Sequence, residues 1–438
     1  MYRGVRIAAT LFAFVLVLSL AGCREKETRV ETVDKPDYSV VLHLFSSGSI
    51  SSTSDQAKYW SEHFSEIVGD NVEIDYEDSS YYAEGSQGLG GRELLRKRIE
   101  SDRPDDMYIV SAEDMIEFAR KGYILDMSDF DFVDNLSDAA RQLSTIDGKV
   151  YCLPLAYTGY GLYWNTELLQ KYGLEIPKNY GELIYVWDTL KENGITPYVG
   201  NKGYALTVPA MCLGLSEVYQ SENRDQLLAD LANGTTPIST YMRKGFEFIQ
   251  LMCDKGYFNP SEALATAPSS EEEIAQFVNG QVACVCSVMD TQAFYDKERT
   301  GFVTHMTGWP LLEDGAVSVV GTTQKLCANP DSKYPEIVKE FIEMAGTKEA
   351  LIQITKDGAV SSGKINDPSK YRSSESVFDA LIQSDGQIPN TDMNLKLNLW
   401  DNIRDISRLI LSGDATVEEA CRMLDESQKQ DIAASVLE

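Results

Sequence analysis

The residues with most chemical scope in this chain are its eight cysteines, its three histidines and its many carboxylates. Their spacing argues against most enzymatic uses. No CxxC pair occurs, so neither a thiol–disulfide exchange motif nor the usual zinc spacing is present. Three histidines without an HExxH run mark no metal triad. There is no P-loop and no GxSxG turn. The run Gly85-Ser86-Gln87-Gly88-Leu89-Gly90-Gly91 follows a polar, aromatic segment at 78–82 instead of an apolar strand, so it reads as a surface loop and not as a phosphate cradle. A glycosidase carboxylate pair stays open, because 68 Asp and Glu residues offer many combinations. With no marked base, nucleophile or metal cluster, the chain is expected to be no enzyme and to need no cofactor or metal.

Cys23 is the cysteine with a legible role. Arg3 and Arg6 precede an apolar run at 7–20, the layout of a secretory signal peptide. That run is shorter than the roughly 20 residues a membrane-spanning helix needs. It ends Leu20-Ala21-Gly22-Cys23, which resembles a bacterial lipobox, in which small residues precede a thiol that accepts the lipid. Residues 1–22 are therefore read as a signal peptide, and 23–37 as a lipidated Cys with a charged, flexible tether. The expected location is the outer face of the cytoplasmic membrane, with contact to lipid through the anchor only. Cys152, Cys212, Cys253, Cys284, Cys286, Cys327 and Cys421 are irregularly spaced and read as small core residues.

The elements that must position any site belong to a chain of 438 residues, enough for two to three domains. Hydrophobic residues are 43% and charged residues 24%, with 23 Tyr, 15 Phe and 5 Trp to fill a core. A mean hydropathy of −0.24 excludes a polytopic membrane protein. A net charge of −29 argues against nucleic acid as a partner and against docking on anionic lipid.

The apolar run at 40–45 reads as a strand closed by the loop Ser46-Ser47-Gly48-Ser49. A helix follows with Ala57, Trp60, Phe64, Ile67 and Val68 on one face. Strand 72–76, helix 89–101, the turn Arg103-Pro104-Asp105, strand 107–110 and a helix at 113–121 stopped by Gly122 complete a first unit. A second unit has a strand at 162–164 and a helix at 180–192 with Asn179 at its N-cap. It continues with long helices near 217–231 and 241–255, the capping box Ser270-Glu271-Glu272-Glu273, and a strand at 281–286. From 335 onward the chain reads as mostly helical, with Trp400 inside a helix at 393–411. Trp60 and Trp187 read as core residues, and His43 and His305 as core or hinge residues. The alternation predicts an α/β fold with a largely parallel sheet.

Several short segments together resemble one family. Ile146-Asp147-Gly148-Lys149-Val150-Tyr151-Cys152-Leu153-Pro154 is similar to a segment of the extracellular solute-binding proteins of bacterial ABC importers. So are Leu162-Tyr163-Trp164-Asn165, Phe277-Val278-Asn279-Gly280-Gln281-Val282-Ala283 and the run from Asn329 to Glu336. The resemblance spans about 40–430 and is nearest the maltose-binding-like, carbohydrate-type branch. It implies a two-lobed periplasmic-binding-protein-like fold of type II, with hinge strands and a ligand cleft at the lobe interface. The first lobe would hold 38–155 plus 309–333, and the second 158–305 plus 336–438. It implies a monomer that captures a small solute, most simply a mono- or oligosaccharide, and hands it to the permease subunits of an ABC importer. A polyamine or peptide ligand is the alternative.

Carrying the family's cleft positions over gives Ser46 and Ser47 after the first strand, and Ser111 and Glu113 after the Pro-Asp strand. It also gives Tyr157, Thr158 and Tyr160 in the crossover, Asp290 after the Cys284 strand, Trp309 near the second crossover, and Trp400 as a stacking ring. Tyr81, Tyr82 and Tyr204 lie in segments read as irregular and complete the set. Aromatic rings suit the apolar C–H face of a pyranose, and carboxylates and amides suit its hydroxyls. Where maltose-type relatives carry Gly-Pro-Trp, this chain has Val288-Met289-Asp290, which counts against a maltodextrin.

Overall fold

Strand β1 (Val40–Ser46) buries Val40, Leu42 and Leu44 on one face and turns Val41 and His43 outward. That alternation sets the orientation of everything built on it. The computed structural model describes residues 38–46, 55–78, 91–288, 297–353, 360–364, 385–395 and 397–437. The signal segment, Cys23 and its tether, Ser47, Tyr81, Tyr82 and Asp290 lie outside the described residues.

After β1 come α1 (Asp55–Val68), β2 (Val72–Asp78), α2 (Gly91–Ile99), β3 (Met107–Val110) and α3 (Ala112–Lys121). A small hairpin, β4 (Thr145–Ile146) and β5 (Lys149–Val150), leads into the 13-residue strand β6 (Leu153–Asn165). Next are α4 (Tyr180–Glu192), β7 (Thr196–Val199), α5 (Tyr204–Tyr219), α6 (Ser239–Lys255), α7 (Glu271–Val278) and β8 (Val282–Val288). Strands β9 (Thr304–Thr307) and β10 (Trp309–Leu312) precede a second long strand, β11 (Gly315–Ala328). The main elements end with α8 (Pro335–Ala345), β12 (Val360–Ser361), β13 (Gly386–Pro389), α9 (Leu399–Ser412) and α10 (Val417–Leu437).

The central sheet runs β2-β1-β3-β11-β6-β8-β7. The expected parallel order holds within each end, where β1 pairs parallel with β2 and β3, and β7 with β8. The middle is antiparallel: β11 pairs with β3 and β6, and β6 with β8. Two separate cores flank this middle. Trp60 and Phe64 meet Phe341 edge-on at 5.5 and 5.1 Å in the first. Trp187, Tyr198 and Trp309 cluster in the second. We refer to the two halves as the first and second lobes. Strands β6 and β11 contribute to both, so they carry the chain across.

Several expectations are corrected by this packing. Helix α8 falls within the stretch read as second lobe, yet its Ile337, Val338, Phe341 and Ile342 pack in the first core, because they complete the apolar face of α1. The resemblance places 309–333 in the first lobe. Instead β11 pairs with β13 along Val317–Val320, and only its end, Lys325–Ala328, reaches β3. Helix α9 starts at Leu399 and not at 393. His43 and His305, read as core or hinge residues, are both exposed, which removes the core reading, and His43 Nδ1 lies 3.2 Å from Asp75.

Tyr204, read as lying in an irregular segment, is the first residue of α5. The sequence conceals that helix behind Pro209, which cannot donate to the Ala205 carbonyl one turn earlier. The buried Tyr198 hydroxyl donates to that carbonyl at 2.8 Å and fills the gap.

Candidate functional site

Helix α3 begins where β3 ends because Ser111 caps it, its Oγ accepting from the Asp114 N–H at 3.1 Å. This places Glu113, Ile116 and Arg120 along one helical face. That face and Arg92 of α2 form the first-lobe wall of a cavity of about 290 Å³. Arg92 is tied to α3 by its Nε, which donates to Asp114 Oδ1 at 2.5 Å. The opposite wall belongs to the second lobe, with Met211 and Tyr219 of α5, Asn390 and Asp392 after β13, Trp400 and Asp401 at the start of α9, and Asp431 of α10.

The second wall is held from behind. The Tyr219 hydroxyl donates to Asp392 Oδ2 at 2.9 Å, and the Asn398 N–H to Asp431 Oδ2 at 2.9 Å. Asp401 lies 2.7 Å from Arg404 Nη1. Asn390 donates its N–H to the Val320 carbonyl at 2.7 Å, and its side chain lies where a Cβ on Gly321 would sit, so that position has no room for a larger residue. Burial pushes the Asp431 carboxyl above the usual carboxylate range, against the pull of the Asn398 N–H. Four carboxylates (Glu113, Asp392, Asp401 and Asp431) thus share the cavity with two guanidinium groups, Arg92 and Arg120.

Beside the cavity wall is a row of three rings. Trp400 and Tyr160 lie 5.1 Å apart at 35°, and Tyr160 and Tyr204 lie 5.5 Å apart at 46°. Trp400 and Tyr160 are half-buried. Tyr204 is buried, and its hydroxyl donates to Glu273 Oε2 at 3.0 Å.

Of the residues singled out from the sequence, Glu113 and Trp400 line the cavity, Tyr160 backs Trp400, and Tyr204 backs Tyr160. Ser111 is occupied as a helix cap. Ser46, Tyr157 and Thr158 are buried in their strands; the Tyr157 hydroxyl donates to Gln387 at 2.9 Å. Trp309 is corrected outright. It has no exposed surface and packs edge-on against Tyr198 at 5.6 Å, since β10 turns it into the second core.

Sequence reasoning missed Arg92, Arg120, Asn390, Asp392, Asp401 and Asp431. Asp401 adjoins Trp400 and could have been found with it. The others reach the cavity only through tertiary packing. No group of three metal-ligating side chains occurs among the described residues.

Lys325, at the crossing of β11 with β3 and β6, is also buried, and its Nζ donates to the Thr322 carbonyl. Burial pushes its amine below the usual lysine range. All seven described cysteines are free thiols, buried except for the half-buried Cys253.

A larger groove, about 850 Å³, lies in the first lobe alone, at the start of β1. Several of its charged groups are engaged with one another, as in the Arg98 links to Asp105 and Glu77, and the Ser332 hydroxyl donates to Asp106 at 2.6 Å. It lies at the opening ends of the strands, whereas ligands of open α/β sheets bind outside their carboxyl ends.

Residues 94–363, from α2 to just beyond β12, match the family model of the bacterial extracellular solute-binding protein. The chain belongs to this family. Among curated solute-binding proteins, the multiple sugar-binding protein of Streptococcus mutans is 25% identical over 119 residues, covering 26% of this chain and 28% of that protein. The melibiose/raffinose/stachyose-binding protein MelE of Bacillus subtilis is 23% identical over 184 residues, covering 42% and 39% respectively. The matched stretches thus span well under half the length of either curated relative. A solved family 1 extracellular solute-binding protein from Bifidobacterium longum subsp. infantis superposes with a TM-score of 0.72 at 17% identity, covering 90% of this chain and all of that one. That likeness is one of fold, and it covers both lobes.

Proposed function

We propose that this solute-binding protein captures a neutral oligosaccharide between its lobes and delivers it to an ABC importer. The observation that carries the reading is Trp400, a half-buried ring on the wall of an interlobe cavity, backed by Tyr160. A pyranose stacks its C–H face on such a ring, while Asn390, Asp392 and Asp401 supply acceptors and donors for hydroxyls. The sugars named for the two curated relatives support the same class. The excess of carboxylates over guanidinium groups in the cavity disfavours an anionic sugar.

A solute that touches both walls favours the closed arrangement over the open one by those contacts alone. Motion would centre on β6 and β11, where Gln324 holds a left-handed φ of 53° between pairs to β6. Micromolar capture needs about −8 kcal/mol net, within reach of stacked rings and a few hydrogen bonds. The protein would act as a monomer, held at the cell surface by a lipid on Cys23. Turnover is no part of this reading, and incubation with a glycan panel should release no reducing ends.

The same carboxylates favour one second reading, a polyamine-like cation. A thermal-shift screen over neutral oligosaccharides, uronate-containing oligosaccharides, spermidine and short peptides separates the two. The oligosaccharide reading expects a rise with a neutral sugar. A rise with spermidine and none with any sugar would replace it with the cationic one.

A further inference from the structure

Glu273 sits in the first turn of α7 with no exposed surface. Its backbone N–H donates to Ser270 Oγ at 3.2 Å, one half of a capping box. The other half is altered. The Glu273 carboxylate reaches past the N-cap residue to accept the Ser269 N–H at 2.6 Å, and it also accepts from Asn201 Nδ2 and, at 3.0 Å, from the Tyr204 hydroxyl. Ser269 holds a left-handed φ of 56°, a conformation a serine keeps only when its surroundings enforce it. Asn201 Oδ1 meanwhile accepts the Gly203 and Ala205 N–H groups at 2.8 and 3.2 Å, fixing the start of α5. A Cβ on Gly203 would lie 2.3 Å from Pro268, so the two loops are locked together. The contacts of the Glu273 carboxylate and of Asn201 converge on Tyr204, the ring at the far end of the row from Trp400.

We propose that Glu273 is a positioning residue for the saccharide platform: its carboxylate fixes Tyr204, whose ring holds Tyr160 and, through it, Trp400. The proposal rests on the oligosaccharide reading above. A glutamine at 273 would turn an amide N–H₂ toward at least one of three donors, so the conservative change is informative.

The test is a double-mutant cycle of Glu273→Gln with Trp400→Ala, read by calorimetric Kd and by Tm. The probe is whichever of raffinose, stachyose and other neutral oligosaccharides stabilises the wild-type protein most. Tyr204→Phe, which keeps the ring and removes only the hydroxyl, serves as a second arm and decides alone if Glu273→Gln does not fold. Each change is expected to weaken binding about 5- to 10-fold with Trp400 present and less than about 2-fold in the Trp400→Ala background. Equal weakening in both backgrounds, or an unchanged Kd in the first, overturns the proposal. If Trp400→Ala binds too weakly to titrate, the single variants decide, each titrated well below its own Tm: weakened binding there supports the proposal, and an unchanged Kd overturns it. An unchanged Kd in Trp400→Ala itself sinks the stacking reading instead, and a wild-type protein that binds no sugar sinks both.

Discussion

Tyr160 and Trp400, separated by 240 positions in the chain, lie with their rings 5.1 Å apart at 35°. Tyr160 stands where β6 passes between the lobes, and Trp400 opens the helix that lines the cavity. This pair joins the crossover to the cavity wall, and the proposed binding depends on it.

Removal of the Trp400 ring is therefore expected to cost affinity more than stability. Trp400→Ala should weaken neutral oligosaccharide binding by about 10- to 100-fold, the range for truncating a buried aromatic anchor. Calorimetric titration beside a urea melt reads both quantities. Affinity that survives the change would remove Trp400 from the site.

Trp309 makes the opposite prediction. It is enclosed by Trp187 and Tyr198 in the second core. Trp309→Phe should lower stability by about 1–3 kcal/mol through lost packing while leaving Kd unchanged. A selective loss of affinity would restore it as a cleft residue.

Lys325 is a buried amine whose only hydrogen-bond acceptor among the described residues is the Thr322 carbonyl. The Glu113 carboxylate favours the charged amine but forms no ion pair with it, and the desolvation of the ammonium outweighs that pull, a net cost to the fold. Lys325→Met should raise stability by about 1–3 kcal/mol in urea denaturation at neutral pH. Because burial lowers the amine's pKa, the unfolded chain binds the proton more tightly. The wild-type protein should therefore recover against the variant as pH rises toward the ordinary lysine value. A destabilised variant would show that the amine has a stabilising role.

Asp431 titrates with the opposite sign to an ion-paired carboxylate. Its pKa is raised in the folded protein, so between the unfolded and folded values the native state holds a proton the unfolded chain has released. Its contribution to stability therefore falls as pH rises through that window, which opens near pH 4. Urea melts at several pH values from about 4 upward should show Asp431→Asn gaining on the wild type as pH increases. A constant difference would mean that Asp431 titrates alike in both states.

Local signals in the sequence were strong where side chains cap or alternate. Asn179 accepts the Glu182 N–H at 2.9 Å and Ser270 the Glu273 N–H, at the two starts read from those residues. Trp60 and Trp187 are buried as their helical spacing required. What stayed hidden is non-local. Nothing near Pro209 announces that Tyr198 will supply the missing donor to α5, and nothing in 335–345 says that this helix returns to Trp60. Arg92 and Asp431 have no distinguishing neighbours in sequence; they face the cavity because β6 and β11 bring α2, α3, α9 and α10 around it. Trp400 was legible from the resemblance to solute-binding proteins, whereas the burial of Trp309 depended on which way a four-residue strand turns.

The central claim is capture of a neutral oligosaccharide by the interlobe cavity, and calorimetric titration of the purified protein with raffinose and stachyose, at several temperatures, tests it most directly. The account predicts one site per chain, a Kd near the micromolar range and a negative heat-capacity change as the lobes close over the sugar. Absence of binding by these and other neutral oligosaccharides, with a clear isotherm for spermidine or a peptide, would contradict it.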